Sequence, residues 1–256
     1  FAHGVASGDP LADRVILWTR VTLPEYPPQG VQVRWIVSST ADMQNVVRQG
    51  TQRVVATHDY TLKVDAQSLQ PATTYYYQFI TGPHKSIVGR TRTAPAEMVS
   101  AIRLAVVSCS SYWSSTWSGY QAIAQRDDLD LVIHCGDYIY DFVDEDEQVR
   151  ARKDIEDTSY VDYRDWLNLD ECRRRYALFR SDPALMAAHQ QHPWFITWDN
   201  HDIDPGFGNE LPTMLPAGVS STCTLSDTTR AFWEWTPSRP VKPDGSGEFI
   251  FYPDSE

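Results

Sequence analysis

The sequence predicts an α/β unit preceded by a small all-β unit, on three observations. Residues 1–95 carry short apolar segments of strand length, separated by turns rich in proline and glycine. After residue 100 the apolar segments become nearly continuous and alternate with helical patterns. Polar, chemistry-bearing residues then follow each of three continuous segments. The composition fits. The chain has 256 residues, 42% hydrophobic and 22% charged, which suits one large domain or two small ones. Those values exclude disorder, collagen and coiled coil. No run of about 18 apolar residues occurs, so no transmembrane anchor is expected. With 34 acidic against 22 basic residues, the net charge is −12. That charge disfavours nucleic acid as a partner. An anionic substrate would need a local cation, and a bound metal is the most direct source.

Val15–Arg20, Val31–Val37 and Tyr60–Val64 read as the first strands, with Pro24, Pro27, Pro28 and Gly30 in the turns between. Leu69-Gln-Pro-Ala-Thr-Thr-Tyr75-Tyr76-Tyr77-Gln-Phe79 is more specific. A Leu-x-Pro-x-Thr turn feeding an aromatic strand resembles the Ig/fibronectin III-like β-sandwich, in which a tyrosine locks the turn between two sheets. Residues 1–95 are assigned to that sandwich, and Thr93–Met98 to the linker. Ile102–Val107, Leu129–Ile133 and Trp194–Trp198 read as strands covered on both faces. Gly119–Arg126 and Val161–Arg180 read as helices. In the second, Trp166, Leu169, Arg173, Tyr176 and Phe179 recur near helical spacing. Asp182-Pro183 starts a third helix by N-cap and first-turn proline, and Pro193 ends it. The alternation implies a parallel or mixed sheet with right-handed crossovers. Residues 205–256, rich in Pro, Gly, Ser and Thr, read mostly as loop.

The polar sets are Ser108-Cys109-Ser110, Gly136-Asp137-Tyr138-Ile139-Tyr140-Asp141 and Asp199-Asn200-His201-Asp202. Strand carboxyl ends gather at one crevice in open α/β sheets. The sets lie about 30 and about 60 residues apart, reasonable for crossover units. Asp137 can bridge two cations. Tyr140 could supply a phenolate and Cys109 a thiolate, donors that suit Fe3+ better than Ca2+ or Mg2+. Asn200 offers an amide oxygen to a second, harder cation. His201 is able to act as an acid or to bind a phosphoryl oxygen.

Gly-Asp-x-x-Tyr followed by Asn-His resembles the calcineurin-like metallophosphoesterases. More narrowly, five blocks in order resemble the alkaline phosphatase D (PhoD-like) family: Phe1–Pro10 with Val15–Arg20, Ser108-Cys109, Gly136–Tyr140, Trp198–Asp202 and Ala231–Arg239. The resemblance implies an α/β (α+β) metallophosphoesterase sandwich over residues 101–256. It also implies hydrolysis of a phosphate monoester or diester substrate, with Fe3+ beside one or two Ca2+ ions. By matching position, Cys109 and Tyr140 would be iron ligands, Asp137 the bridge and Asn200 a ligand of the second metal. His201 would sit near the leaving group. The wider superfamily usually has Asp-x-His where this chain has Ser108-Cys109-Ser110. The family draws further histidine and aspartate ligands from a later segment, and no histidine follows His201. The sandwich is therefore expected to be incomplete, its remainder on a companion fragment or chain, with apolar sheet faces left exposed.

Other residues carry plainer expectations. Cys135 and His134 are expected to be structural, His134 as a satisfied core histidine. His189 and His192, around a helix end and Pro193, are expected on the surface. Asp144–Glu147 reads as a solvated acidic loop. Trp113 and Trp117 either wall the pocket or pack in the core. Four cysteines are too few for a disulfide-built scaffold; Cys172 and Cys223 are able to pair in an oxidising compartment. The chain opens on Phe1 with no signal-like segment, and a secreted or periplasmic location with the signal removed is expected. Two alternatives stand beside the phosphatase: a phospholipase D-type phosphodiesterase on lipid headgroups, and a non-catalytic surface-binding module.

Overall fold

The structure, a computed structural model, describes residues 1–113, 116–141, 168–203 and 222–239. Its first sheet is antiparallel. Strands β3 (Val31–Ser38), β4 (Val46–Val54), β6 (Thr74–Thr81) and β7 (His84–Lys85) run in the order β4-β3-β6-β7, and β8 (Gly89–Arg92) also pairs with β6. The pattern of β6 alternates strictly, with Tyr75, Tyr77 and Phe79 inward. They pack with Val31, Val33 and Val37 of β3 against Val5, Val15, Leu17 and Val64 of the second sheet. The tyrosine corner is present: the Tyr75 hydroxyl accepts a hydrogen bond from the Gln70 amide at 2.9 Å. A two-layer β-sandwich thus fills the N-terminal part.

The second sheet is mixed, in the order β5-β2-β1-β11-β10-β9. β1 (Val5–Gly8), β2 (Arg14–Arg20) and β5 (Thr61–Gln67) are antiparallel; β9 (Leu104–Val107), β10 (Leu131–His134) and β11 (Pro193–Ile196) are parallel. β1 joins the two sets, pairing in parallel with β11 so that Gly8 faces Trp194. One sheet therefore runs from the β-sandwich into the α/β part. Glycine is required at the join: a Cβ on Gly8 would lie 2.5 Å from the Pro237 carbonyl oxygen and 2.7 Å from that of Trp194.

Helices α1 (Ser118–Ala124), α2 (Leu169–Phe179) and α3 (Pro183–Gln191) agree with the three predicted helical regions where they are described. Positions 161–167, including Trp166, lie outside the described residues. Asn168 caps α2 by accepting from the Glu171 amide at 3.0 Å. Asp182 caps α3 by accepting from the amides of Ala184 and Leu185. Two short elements follow, α4 (Asn200–Ile203) and α5 (Leu225–Trp235). The second corrects the loop expected over 205–256. Thr224 and Asp227 form a reciprocal capping box, and Ala231, Phe232 and Trp235 bury one face. Positions 204–221 and 240–256 lie outside the described residues, as does the acidic cluster Asp144–Glu147.

Three expectations about burial are corrected. His189 and His192 are interior, each 0% exposed. His189 Nε2 meets the Tyr138 hydroxyl at 2.8 Å and its ring stacks 4.0 Å from Trp194, while His192 Nε2 bonds the Ile123 carbonyl. Each imidazole has one ring nitrogen bonded inside, while its Nδ1 is buried without a hydrogen-bond partner, so burial disfavours the charged form of both. Cys135, past the end of β10, is exposed rather than covered. The third, that the parallel strands are covered on both faces, fails on one side, in the way expected of an incomplete sandwich with apolar sheet faces left exposed. Their inner side, with Val132, His134 and Trp194, is buried among the helices. On the other side Leu104 is 44% exposed, Val106 63% and Phe195 38%. Val106, Ile133 and Phe195 are adjacent in register. Among the described residues, that apolar face is uncovered. Trp113 and Trp117 pack in the core around Phe179 and Tyr112, and His134 is buried against the Tyr120 hydroxyl as expected.

One buried charge ties α2, α5 and β2 together. The Glu234 carboxylate, 0% exposed, accepts from Arg173 at two nitrogens, both 2.7 Å, and from Arg230 at 3.1 Å. Its own carbonyl accepts from the Trp18 indole. Burial works against the charge, but His58 and the two guanidiniums outweigh it and hold the carboxyl pKa below its ordinary value. Glu234→Ala is expected to destabilise the fold by about 3–5 kcal/mol in urea unfolding, because it strands Arg173 against the core. A depressed carboxyl pKa stabilises the fold above the unfolded-state value of 4.5 and loses that contribution as pH falls through the folded one. The variant's deficit should therefore shrink in acid.

Candidate metal centre

Two backbone turns at the ends of β9 and β10 bring the predicted residues together. Past β9, Cys109 adopts a left-handed φ of 54°; past β10, Gly136 (φ 108°) and Asp137 (φ 54°) do the same. Non-glycine residues pay for that conformation with strain on the order of 1 kcal/mol or more, a pattern found at functional sites. Gly136 cannot be replaced freely, because a Cβ there would stand 2.5 Å from the Asp199 Cβ and 2.8 Å from its amide nitrogen. The turns are stitched to each other: Cys109 N donates to the Gly136 carbonyl at 3.2 Å and Ser110 N to that of Asp137 at 3.3 Å.

The result is a thiol, a phenol and a carboxylate at one point. Cys109 Sγ lies 3.5 Å from Asp137 Oδ2, and the Tyr140 hydroxyl 3.4 Å from the same oxygen. The phenol contact is long for an O–H···O hydrogen bond. Asp137 Oδ1 is buried with no hydrogen-bond partner at all. Burial first, then the charges of Asp137 and Cys109, push the Tyr140 phenol far above its ordinary pKa. Three electron-rich groups thus crowd one spot, and one carboxylate oxygen among them has no donor. A cation at this spot would reverse each penalty. The donor set fits Fe3+, whose preferred partners include phenolate and thiolate. It does not fit Ca2+, which takes six to eight oxygens. Among the described residues, no group of three or more His, Cys, Asp or Glu side chains could hold a metal.

The third strand end contributes differently. The structure does not place Asn200 among these three donors. The Asn200 amide N–H donates to Asp199 Oδ1 at 2.8 Å, and its side chain, in the orientation that satisfies both ends, bonds Asp199 and His201. His201 stands beside Tyr140, ring centroids 4.7 Å apart, and its Nδ1 donates to Asp141 Oδ1 at 2.7 Å. Burial opposes protonation of His201, but Asp141, then the charges of Asp137 and Asp202, overcome it and raise its pKa. The imidazole is therefore held oriented and ready to carry a proton.

Sequence reasoning missed the residues that hold this arrangement. Asp202, 1% exposed, accepts four backbone amides: Tyr138 and Ile139 on Oδ1, Asp137 and Asp199 on Oδ2, all between 2.8 and 3.0 Å. Successive N–H groups after a left-handed residue form an anion-binding nest, and here a side chain of the same protein fills it. Burial raises the Asp202 pKa to about 7, with the amides of Asp199 and Ile139 working against it. Asp141 orients His201. Arg175 of α2 donates to the Tyr140 carbonyl at 2.6 Å while lying over the Trp113 ring.

The chain resembles known proteins along nearly its whole length. The family described as PhoD-like phosphatase, N-terminal domain, matches residues 1–95, and the family described as PhoD-like phosphatase matches residues 104–252. Alkaline phosphatase D of Bacillus subtilis (strain 168) is 35% identical over 252 residues, covering 93% of this chain and 41% of the relative. A solved structure titled "Structure of PhoD" superposes with a TM-score of 0.80 at 31% identity, covering 98% of this chain and 49% of the other. The chain thus spans less than half the length of these relatives. On both family matches and the whole-chain similarity, the chain belongs to the PhoD-like phosphatase family.

Proposed function

We propose that this chain carries part of the active site of a metal-dependent phosphoric ester hydrolase acting on phosphate monoesters and diesters. Fe3+ would be held by Cys109, Asp137 and Tyr140. The observation that carries the reading is Asp137 Oδ1, a buried acceptor with no donor, on a carboxylate already facing a thiol and a phenol. A cation bound there supplies Lewis acidity that neutralises a phosphoryl oxygen. The protein's own part is positioning and proton handling. Asp202 fixes the backbone that aims Asp137, and Arg175 fixes that of Tyr140. His201, oriented through Nδ1 by Asp141, can carry a proton to the leaving oxygen. Asn200, beside it, is assigned to a second metal, for which Ca2+ is the proposed identity. The described residues do not complete that ion's shell, so no step depends on it.

The face of Leu104, Val106 and Phe195, uncovered among the described residues, supports a second layer supplied by the remainder of the full-length protein. The relatives are more than twice as long as the matched portion. Residues completing the site would come from that remainder.

Iron loading tests the metal assignment. Full-length protein loaded with Fe3+ is expected to absorb in the visible through phenolate and thiolate charge transfer. Tyr140→Phe and Cys109→Ser should each shift or weaken the band. Stoichiometric iron with no visible band, or a band unchanged in both variants, overturns the assignment. His201→Gln is expected to slow turnover of an aryl phosphate by ~10²–10⁴-fold while iron content stays constant. Steady-state rates alongside elemental analysis check it.

A further inference from the structure

Away from the metal centre, Cys172 and Cys223 stand with their sulfurs 3.6 Å apart and no S–S bond between them. Cys172 is the fourth residue of α2 and is 1% exposed; Cys223, half-buried, directly precedes the N-cap of α5. The two elements are already fixed to each other. Arg173, next to Cys172, makes its two-nitrogen bond to Glu234 of α5, and Thr224 closes the capping box that sets the first turn of α5. The thiols therefore meet at high effective concentration, with little conformational freedom left to lose on bonding. Closing the gap to an S–S bond of about 2 Å asks for side-chain rotation and a small backbone adjustment.

We propose that Cys172 and Cys223 form a regulatory or stabilising disulfide that staples α2 to α5 when the protein meets a disulfide oxidant. The chemistry is thiol–disulfide exchange. Cys223, the more accessible sulfur, attacks a small disulfide such as oxidised glutathione and releases one small thiol. Cys172 then loses its proton, attacks the Cys223 sulfur of the mixed disulfide and releases the second. Two protein thiols are oxidised, one small disulfide is reduced to two thiols, and the bond count balances. Burial, with Cys223 next, keeps the Cys172 thiol well above its ordinary pKa. Cys172 is thereby protected from bulk reagents until its neighbour is activated.

The staple bears on the site through α5. The hydroxyl of Thr228 in α5 donates to the carbonyl of Ile203, the last residue of α4, the element that carries Asn200, His201 and Asp202. The cross-link would join residues 51 apart in sequence and enclose all three. A loop of that length removes substantial unfolded-state freedom. This inference does not depend on the metal assignment.

The test uses full-length protein incubated with excess oxidised glutathione, then with reduced glutathione. The oxidised form is expected to lose two hydrogens in intact mass and to titrate two fewer thiols. A digest should contain one linked peptide pair, Cys172 to Cys223. The melting temperature should rise by roughly 5–10 °C over the reduced form. Cys223→Ser, a conservative change at a half-buried position, should fold, show no linked peptide and melt alike in both buffers. Retention of all thiols after oxidation, or a link that instead involves Cys109 or Cys135, overturns the pairing. A Cys172–Cys223 link without any rise in melting temperature overturns the staple.

Discussion

Asp137→Asn is expected to lower phosphate-ester hydrolysis by the full-length protein by ~10³-fold or more, with folding left nearly intact. The substitution keeps shape and one carbonyl oxygen. It removes the charge that Cys109 and Tyr140 face, and it leaves a neutral amide where a cation held by these residues would lose its carboxylate. The fold has little to lose. The Asp137 backbone amide keeps its bond to Asp202, and Oδ1 had no donor to forfeit. Removing an unpaired buried charge can even add on the order of 1 kcal/mol to stability. Rates on an aryl monoester and an aryl diester, iron content and a melting curve separate these effects. Wild-type rates in Asp137→Asn would sink the proposed mechanism; lost activity with lost folding would sink the argument about its buried oxygen.

What the sequence revealed depended on whether the signal was local. Asp182-Pro183 and Tyr75 announce a cap and a corner within a few residues, and both stand where the pattern placed them. Cys109, Asp137 and Tyr140 were legible as neighbours because strand carboxyl ends converge in such sheets, which brings Cys109 to the Asp137–Tyr140 turn 28 residues on. Signals that depend on distant partners were lost. Val5–Gly8 reads only as a short apolar segment, yet its pairing with β11 makes one sheet of two predicted units. His189 and His192 look like surface residues until Tyr138 and the Ile123 carbonyl supply their partners. The α5 helix vanished because Pro, Gly, Ser and Thr over fifty residues diluted an eleven-residue amphipathic stretch. Apolar runs at β9 showed that a face wants cover, not which segment covers it.

Asp202 is the clearest case, and its replacement is the second large effect expected. Read as part of Asp199-Asn200-His201-Asp202, it looks like one more polar group at a strand end. Its carboxylate instead accepts from amides more than sixty positions earlier in the chain. In Asp202→Asn one oxygen keeps its two amides, while the new NH2 faces the other two with a donor against donors. Leaving two buried amides unpaired costs about 1–3 kcal/mol each. The deficit falls on the Gly136–Ile139 turn, whose left-handed residues have strain to release. Turnover should therefore drop with that of Asp137→Asn, and the visible band of the iron-loaded protein should weaken, although Asp202 is not assigned as a ligand. Hydrogen exchange gives the decisive readout: the amides of Asp137, Tyr138 and Ile139 should exchange at least tenfold faster, while those of β2 and β6 keep their protection. If exchange accelerates equally throughout, Asp202 merely stabilises the whole fold. If it stays slow at the turn, the nest is held by something other than this carboxylate.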